Sequence, residues 1–172
     1  LQQEASRKLG FTTRTTRQVA QKLYEGVNIG DEEGTVGLIS YMRTDSVSLS
    51  AEALAEIRDV IARDFGTQAL PDKPNVYVTK SKNAQEAHEA VRPTSALRTP
   101  AQVARYLSDD ERKLYDLIWK RAVACQMVPA TLNTVSVDLA AGSEHVFRAS
   151  GTTVVFPGFL AVYEEGKDSK AA

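Results

Sequence analysis

The strongest constraint on the fold is a change of sequence pattern at Pro129. Before this residue, apolar side chains recur every three or four positions, which is the spacing of amphipathic helices. After it, residues 131–139 alternate between two sets of side chains, as in a β-strand with two different faces. The sequence therefore predicts a mainly α fold, a multi-helix body followed by a short β segment. With 172 residues, of which 42% are hydrophobic, the chain can bury a core.

The first thirty residues favour a helix-turn-helix. Leu1, Ala5 and Leu9 recur at helical spacing, and Gly10 is placed to end that helix. Thr15 and Gln18 form a capping-box pattern that predicts the start of a second helix. The expected buried face of this second helix consists of Val19, Leu23 and Tyr24, and its expected end is Gly26.

A strand over residues 35–43, after a polar loop at 28–34, is expected to complete a winged-helix arrangement. Ser50 is an N-cap for a further helix that stops at Gly66. Other helices are predicted over residues 83–90, 100–107 and 108–127, the last opened by a capping box of Ser108 and Glu111. Short strands are predicted over residues 76–78, 131–139, 145–149 and 152–156, and a frayed tail over 165–172.

Composition alone does not indicate a nucleic-acid protein, because the formal net charge is −1. Basic residues nevertheless outnumber acidic ones locally, in residues 1–30 and 73–98, and such patches suit phosphate contact better than the global charge suggests. The bland alternative is that both patches are ordinary solvated surfaces. The only cysteine, Cys125, lies in an apolar run and excludes an internal disulfide, so an inert core thiol is expected.

No stretch has transmembrane length and no signal peptide is present, which predicts a cytoplasmic protein with no membrane partner. The chain starts with Leu1, in the middle of a helical pattern and without an initiator methionine. It is therefore expected to be a piece of a longer polypeptide.

The residues with the clearest chemical potential are Tyr41 and Arg43. On a strand, alternate side chains share a face, so this phenol and this guanidinium would project together. An arginine can hold phosphate oxygens bidentately, and a phenolate oxygen can attack the phosphorus of a phosphodiester. The spacing is equally compatible with a Tyr-Arg pair on an amphipathic edge strand.

Two sequence blocks decide between these interpretations by resemblance. Residues 39–46 read Ile-Ser-Tyr-Met-Arg-Thr-Asp-Ser and resemble the active-site tyrosine segment of type IA DNA topoisomerases. Residues 85–93 read Gln-Glu-Ala-His-Glu-Ala-Val-Arg-Pro and are similar to the downstream histidine motif of that family, at the expected separation. Further matches lie at residues 1–6, 20–25 and 114–119. Met42 favours the bacterial topoisomerase I branch, the omega proteins, over topoisomerase III or reverse gyrase.

The resemblance implies roles for individual residues. Tyr41 would attack the DNA backbone to form a 5′-phosphotyrosine link, and Arg43 would position the scissile phosphate. His88 would contact the DNA backbone, although a histidine beside Glu89 is otherwise often a surface residue. Two further alternatives stay open, since Arg92 can contact phosphate or anchor the turn before Pro93, and Asp45 can cap a helix or orient Arg43. Arg14 and Arg17 are candidate DNA contacts on the second helix, and no metal ligand is assigned.

At the level of domains, the resemblance implies that residues 1–129 are the helical active-site tyrosine domain and 130–164 part of the toroidal gate. The parent enzyme would relax negatively supercoiled DNA by cleaving one strand, passing another and resealing without ATP. Its Mg²⁺ would be bound by a Toprim domain absent from this sequence, so this chain alone is expected to be inactive. Expected partners are single-stranded or supercoiled DNA and the rest of the polypeptide. The competing hypothesis is a non-catalytic winged-helix DNA-binding module.

Overall fold

The computed structural model describes residues 1–42, 46–77 and 89–166. Within these ranges there are five α-helices: α1 (Gln2–Leu9), α2 (Thr13–Glu25), α3 (Ala51–Phe65), α4 (Pro100–Val103) and α5 (Asp109–Ala124). Four strands form two antiparallel pairs, β1 (Val27–Asn28) with β2 (Thr35–Val36), and β3 (Thr131–Ala141) with β4 (His145–Phe156). Short 3-10 turns occur at Thr67–Ala69, Ala104–Tyr106 and Gly158–Ala161. The chain is thus mainly helical with two small sheets, as the sequence pattern predicts.

The helices pack around α5, which contacts each of the other four. Its apolar stripe has helical spacing, and all of its members are buried: Leu114, Leu117, Ile118, Trp119 and Ala122. The polar groups of two aromatic side chains are hydrogen-bonded inside this core. The Tyr115 hydroxyl donates to the Arg98 carbonyl, and the Trp119 indole N–H donates to the Ala96 carbonyl. These bonds let two large aromatic side chains enter the core without leaving a donor unpaired.

Most helix ends lie where the capping residues predict them. Gly10 ends α1 in the left-handed conformation, and Ser50 caps α3 by accepting a hydrogen bond from the Ala53 N–H. The capping box of Ser108 and Glu111 opens α5. The predicted start of α2 at Thr15 is wrong, because Thr12 is the N-cap and its hydroxyl accepts from the Thr15 N–H.

The other helix predictions need local corrections. α5 ends at Ala124 instead of Met127, and the helix predicted over residues 100–107 is α4 followed by a 3-10 turn. The helix predicted over residues 83–90 falls almost entirely outside the described residues; Glu89 and Ala90 are not helical. Val76 and Tyr77 form no strand, while the third residue of that predicted strand is not described.

The predicted strand over residues 35–43 is wrong over residues 37–42, and Arg43 lies outside the described residues. Leu38 and Ile39 are both buried, which an alternating strand does not allow, and Ile39 instead makes an isolated bridge with Pro93. Since β1 and β2 have two residues each, the winged-helix character is not confirmed. Tyr41 lies in irregular backbone, so the argument that it shares a strand face with Arg43 no longer holds.

The β segment after Pro129 is one long hairpin. β4 runs unbroken through Gly151, which pairs with Val135, so the two predicted strands over residues 145–156 are a single strand. Both strands are exposed nearly throughout. At the far end, the Gly166 N–H donates to the Glu4 carboxylate 3.0 Å away, so the described start of the predicted tail contacts α1.

Candidate active site

Tyr41 lies on the surface of the helical body beside α2. Its side chain is 50% exposed, and its ring packs edge-on against Tyr24, with 5.2 Å between ring centroids and 62° between planes. Tyr24 is predicted to be buried, but it is half exposed, because it contacts Tyr41 instead of entering the core. Such edge-to-face contacts orient a ring while leaving its hydroxyl accessible. The phenol of Tyr41 is therefore available to a substrate.

An open cavity of about 920 Å³ adjoins Tyr41. One wall is a polar face of α2, and the lining also includes Met42 and Asp110. Arg17 and Lys22 line this wall, so two basic side chains share the cavity with the phenol. Lys22 also lies 3.9 Å from the Glu111 carboxylate, whereas no ion pair is seen for Arg17 in the described part of the chain. Arg14 is exposed on α2 but does not line the cavity.

The backbone before Tyr41 is docked tightly onto the end of α2. The Leu38 N–H donates to the Leu23 carbonyl at 2.7 Å, and Leu38 is fully buried. Gly37 makes this approach possible, because a Cβ there would lie 2.6 Å from the Tyr24 carbonyl oxygen. The sequence thus places a glycine where two backbone segments must touch. Tyr41 is held next to Tyr24 by the same contact.

The segment before Tyr41 is also hydrogen-bonded to the end of the histidine block. The Ser40 N–H donates to the Arg92 carbonyl at 2.8 Å, and the Thr94 N–H donates to the Leu38 carbonyl at 2.9 Å. The Ser40 hydroxyl donates to the Ala90 carbonyl at 2.7 Å and accepts from the Arg92 N–H at 2.9 Å. Two blocks that are fifty residues apart in sequence therefore meet directly at the residue before Tyr41.

Arg92 is engaged in local contacts. Its guanidinium donates to the Glu89 carboxylate at 2.7 and 3.1 Å and to the Pro93 carbonyl at 2.9 Å. These contacts support the anchoring interpretation of Arg92, and a contact with phosphate stays a prediction. Burial opposes ionisation of Glu89, but hydrogen bonds from the Arg92 guanidinium and the Ser50 N–H outweigh it and lower the pKa of this carboxyl group.

Arg43, Asp45 and His88 lie outside the described residues, so their predicted roles stay predictions. His145 is exposed on β4, away from Tyr41. Cys125 is partly buried, its thiol contacts the Ala122 carbonyl, and burial raises the pKa of that thiol, which fits the expected core thiol. Within residues 1–42, 46–77 and 89–166, no three histidine, cysteine, aspartate or glutamate side chains are grouped so that they could hold a metal ion.

Among the described helices, none is long and apolar enough to span a membrane.

Comparison with known proteins identifies the class to which this fold and these motifs correspond. A family described as DNA topoisomerase matches residues 1–172, so the chain belongs to that family. Its relatives include DNA topoisomerase 1 of Xylella fastidiosa, 80% identical over the whole chain, and of Rickettsia felis, 52% identical over 99% of it. The chain spans about a fifth of the length of these relatives, 21% and 22%. The resemblance to bacterial topoisomerase I is thereby confirmed.

A solved structure supports the same assignment at the level of the fold. Full-length topoisomerase I from Thermotoga maritima superposes with a TM-score of 0.79 at 35% sequence identity. The match covers 96% of this chain and 28% of the Thermotoga chain. The helical body and the hairpin are thus features of a known topoisomerase I fold.

Sequence reasoning missed three residues of the site. The sequence predicts Tyr24 on the buried face of the second helix, whereas its contact with Tyr41 depends on the docked backbone after Gly37. Ser40 and Glu89 lie within the two motif blocks, but no individual role can be predicted for them from the sequence. Their roles depend on which backbone groups lie opposite them.

Proposed function

We propose that this chain is the active-site tyrosine region of a bacterial type IA topoisomerase. In this proposal residues 1–129 form the helical catalytic domain and residues 130–164 form part of the toroidal gate. The parent enzyme would relax negatively supercoiled DNA by cleaving one strand, passing another strand through the gap and resealing the first. Its partners would be single-stranded and supercoiled DNA, in a cytoplasmic, nucleoid-associated setting.

The proposed chemistry is carried by Tyr41. The phenol loses its proton, and its oxygen attacks the scissile phosphorus and bonds to it. The bond from phosphorus to the 3′ oxygen breaks, and that oxygen takes up a proton and leaves as a hydroxyl, so protons balance over the step. The DNA 5′ end is then joined to the protein through a phosphotyrosine ester. Attack by the 3′ hydroxyl on this ester reverses the step, so resealing needs no ATP. Arg43 is proposed to hold the phosphate oxygens and offset their charge.

One observation carries this proposal beyond the family match. Tyr41 is half exposed at an open cavity, and the α2 wall of that cavity presents Arg17 and Lys22. A DNA backbone lying in the cavity would bring a phosphate near the phenol while meeting positive charge. A tyrosine that merely packs would be expected to bury its ring and hydroxyl.

The alternative, a non-catalytic winged-helix module, rests on Arg14 and Arg17 near the start of α2. Both side chains are exposed, as insertion into a major groove would require. However, the sheet after α2 consists of two-residue strands, and Arg17 faces the cavity that Tyr41 also lines. The topoisomerase proposal accounts for Tyr41 and Arg17 together.

The Mg²⁺ that the family implies does not fit the described residues, which offer no grouped acidic ligands. In the proposal, a Toprim domain elsewhere in the parent polypeptide binds the ion. The isolated chain is then expected not to relax supercoiled plasmid, with or without added Mg²⁺.

Substitution of Tyr41 in the full-length parent tests the proposal. Tyr41→Phe keeps the ring that packs on Tyr24 and removes the attacking oxygen, so DNA binding and thermal stability should persist while covalent adduct disappears. Adduct is measured on a denaturing gel with 3′-labelled single strands, because that label stays on the fragment joined to the tyrosine. The unsubstituted enzyme is the positive control. Adduct formation by Tyr41→Phe would show that another residue is the nucleophile.

A further inference from the structure

The stretch that carries Tyr41 is anchored at both ends to one short segment. On one side, Ser40 bonds to Ala90 and Arg92 through its backbone and its hydroxyl. On the other side, the Ser48 carbonyl accepts from the Ala90 N–H at 2.8 Å. The Ser50 N–H donates to the Glu89 carboxylate at 2.7 Å. Residues 89–92 therefore form a common base for the two ends of the stretch that contains Tyr41.

The side chains of Ser40 and Glu89 connect the stretch that contains Tyr41 to residues 89–92. The Ser40 hydroxyl uses its donor and one acceptor site on two different backbone groups of residues 90–92, so it fixes both the distance and the register of the contact. The Glu89 carboxylate binds the Ser50 N–H with one oxygen and the Arg92 guanidinium with the other. Together they form a continuous polar connection from the N-cap of α3, through Glu89 and Arg92, to the residue before Tyr41.

We propose that Ser40 and Glu89 are positioning residues for Tyr41, which set where the phenol stands relative to the helical body. This proposal rests on the proposed function, since it assigns a role in cleavage. Neither side chain is proposed to touch DNA. Displacing a reacting group by about 1 Å can slow an enzymatic reaction on the order of 10²-fold, so the geometry of this base matters more than its contribution to overall folding.

Thr94 provides a matched control. Its hydroxyl donates to the Gly37 carbonyl at 2.7 Å, and so it connects the same two segments as Ser40. It differs in acting three residues further from Tyr41 than Ser40 does, at the end of the contact nearest α2. Thr94→Val removes one hydroxyl bond between the segments without touching the base formed by residues 89–92.

The test measures the first-order rate of adduct formation in the full-length enzyme at saturating single-stranded DNA, together with the half-saturating DNA concentration. Ser40→Ala should slow the rate on the order of 10²-fold and leave the half-saturating concentration unchanged. Ser40→Thr retains the hydroxyl and should restore a rate close to that of the parent. Glu89→Gln, which keeps an acceptor for Ser50 but loses the charged bond to Arg92, should slow the rate less than Ser40→Ala. Thr94→Val should react like the parent.

Several outcomes would overturn this proposal. One is a folded Ser40→Ala enzyme that reacts at the parent rate. Another is a Ser40→Thr enzyme that is as slow as Ser40→Ala. Equal slowing by Ser40→Ala and Thr94→Val, or a loss that appears only in the half-saturating concentration, would reduce Ser40 to a general structural role. If thermal melting shows that Ser40→Ala does not fold, Glu89→Gln replaces it in the test. A folded Glu89→Gln enzyme that reacts at the parent rate, or that changes only the half-saturating DNA concentration, would then overturn the proposal. Tyr41→Phe tests the proposed function separately, because only its result depends on the identity of the nucleophile.

Discussion

The helical body and the β3–β4 hairpin are stabilised in different ways. The body packs its helices around α5 with a shared cluster of buried side chains. The hairpin contributes no side chain to that cluster in the described chain, and its strands are held by their backbone ladder and by cross-strand pairs. A two-stranded hairpin of this kind is marginally stable on its own in water. The comparison indicates that the body is stabilised by its own buried core. The hairpin lacks such a core and would gain stability by packing against another surface.

The two faces of the hairpin differ in the middle of its strands. One face pairs polar side chains there, with hydrogen bonds between Thr134 and Thr152 and between Ser136 and Ser150, and with an ion pair of Asp138 and Arg148; towards its ends the same face carries the apolar pairs Leu132 with Val154 and Ala140 with Val146. The middle of the opposite face carries the exposed apolar side chains Val135, Val137, Leu139 and Phe147, with Asn133 opposite Thr153 at one end. Exposed apolar surface of this extent is typical of a contact region. In the proposed parent enzyme, this face is where other parts of the gate would pack.

The largest contrast should come from matched leucine substitutions in the two regions. Leu114 on α5 is fully buried, so Leu114→Ala should destabilise the chain by about 2–5 kcal/mol, which lowers Tm by roughly 5–20 °C. Leu139 on β3 is 57% exposed, so Leu139→Ala should change the free energy of unfolding by less than about 0.5 kcal/mol. Thermal melts of both variants measure this. Comparable losses would show that the hairpin is packed in solution.

How far the sequence predicts this molecule depends on whether the signal is local. The caps at Gly10, Ser50 and Ser108 depend on contacts within one turn of helix, and the sequence predicts them correctly. The predicted strand is wrong over residues 37–42, because Leu38 and Ile39 bond to distant partners, the end of α2 and Pro93. Local propensity cannot include such contacts.

The candidate site follows the same rule. Tyr41 is identified from its motif, and its exposure agrees with the chemistry expected of it. The contacts of Tyr41 and its neighbours are long-range, since Tyr24 meets the Tyr41 ring, Ser40 meets Ala90, and Glu89 meets Ser50 only in the folded chain. The motif therefore indicates a candidate reactive group, while its contacts with distant segments can be seen only in the folded chain.

A second contrast concerns two glycines, one at the junction of body and hairpin and one in the hairpin turn. Both have positive φ, 51° at Gly158 and 71° at Gly142. At each position, substitution by alanine should therefore lower the free energy of unfolding by about 1 kcal/mol. Only at Gly158 would the new Cβ lie 2.5 Å from the backbone oxygens of Val128 and Pro129, whereas the space at Gly142 is open. Gly158→Ala should therefore cost about 1–3 kcal/mol more than Gly142→Ala. Chemical denaturation of the two variants is the measurement, and equal costs would contradict the close junction.

A third contrast concerns DNA binding. Arg17 is exposed beside the cavity, whereas Arg148 on the hairpin already binds the Asp138 carboxylate at 2.6 and 2.8 Å. We expect weak, salt-sensitive binding of single-stranded DNA, in which Arg17→Ala reduces the magnitude of the salt slope by about 0.7, the value for one lost phosphate contact. Arg148→Ala should leave that slope unchanged. Titrations of a labelled oligonucleotide at several salt concentrations measure both, and a slope that depends on Arg148 instead would place the DNA on the hairpin.

The smallest contrast is in acid stability, and it compares two carboxylates with lowered pKa. At Glu4, burial favours the neutral form, but hydrogen bonds from the Tyr163 hydroxyl, at 2.6 Å, and the Gly166 N–H outweigh it and lower the pKa. At Asp138, the hydrogen bond from Arg148 lowers the pKa, but the pair is exposed on the hairpin. A carboxyl group with a lowered pKa in the folded state stabilises the fold above its ordinary pKa. That stabilisation is lost as the pH falls through the folded-state value.

The Tm of the chain should therefore fall as the pH decreases from near the ordinary glutamate pKa of 4.5. Glu4→Gln should lower Tm at neutral pH and flatten this acid dependence, because the substituted side chain does not titrate. Asp138→Asn should leave the curve close to that of the parent, since an exposed ion pair contributes little and the hairpin adds little to the cooperative unit that melts. Tm measured at intervals from about pH 6 to about pH 3 makes the comparison. An equal flattening by Asp138→Asn would mean that hairpin and body unfold as one unit, and the separation drawn between them would fail.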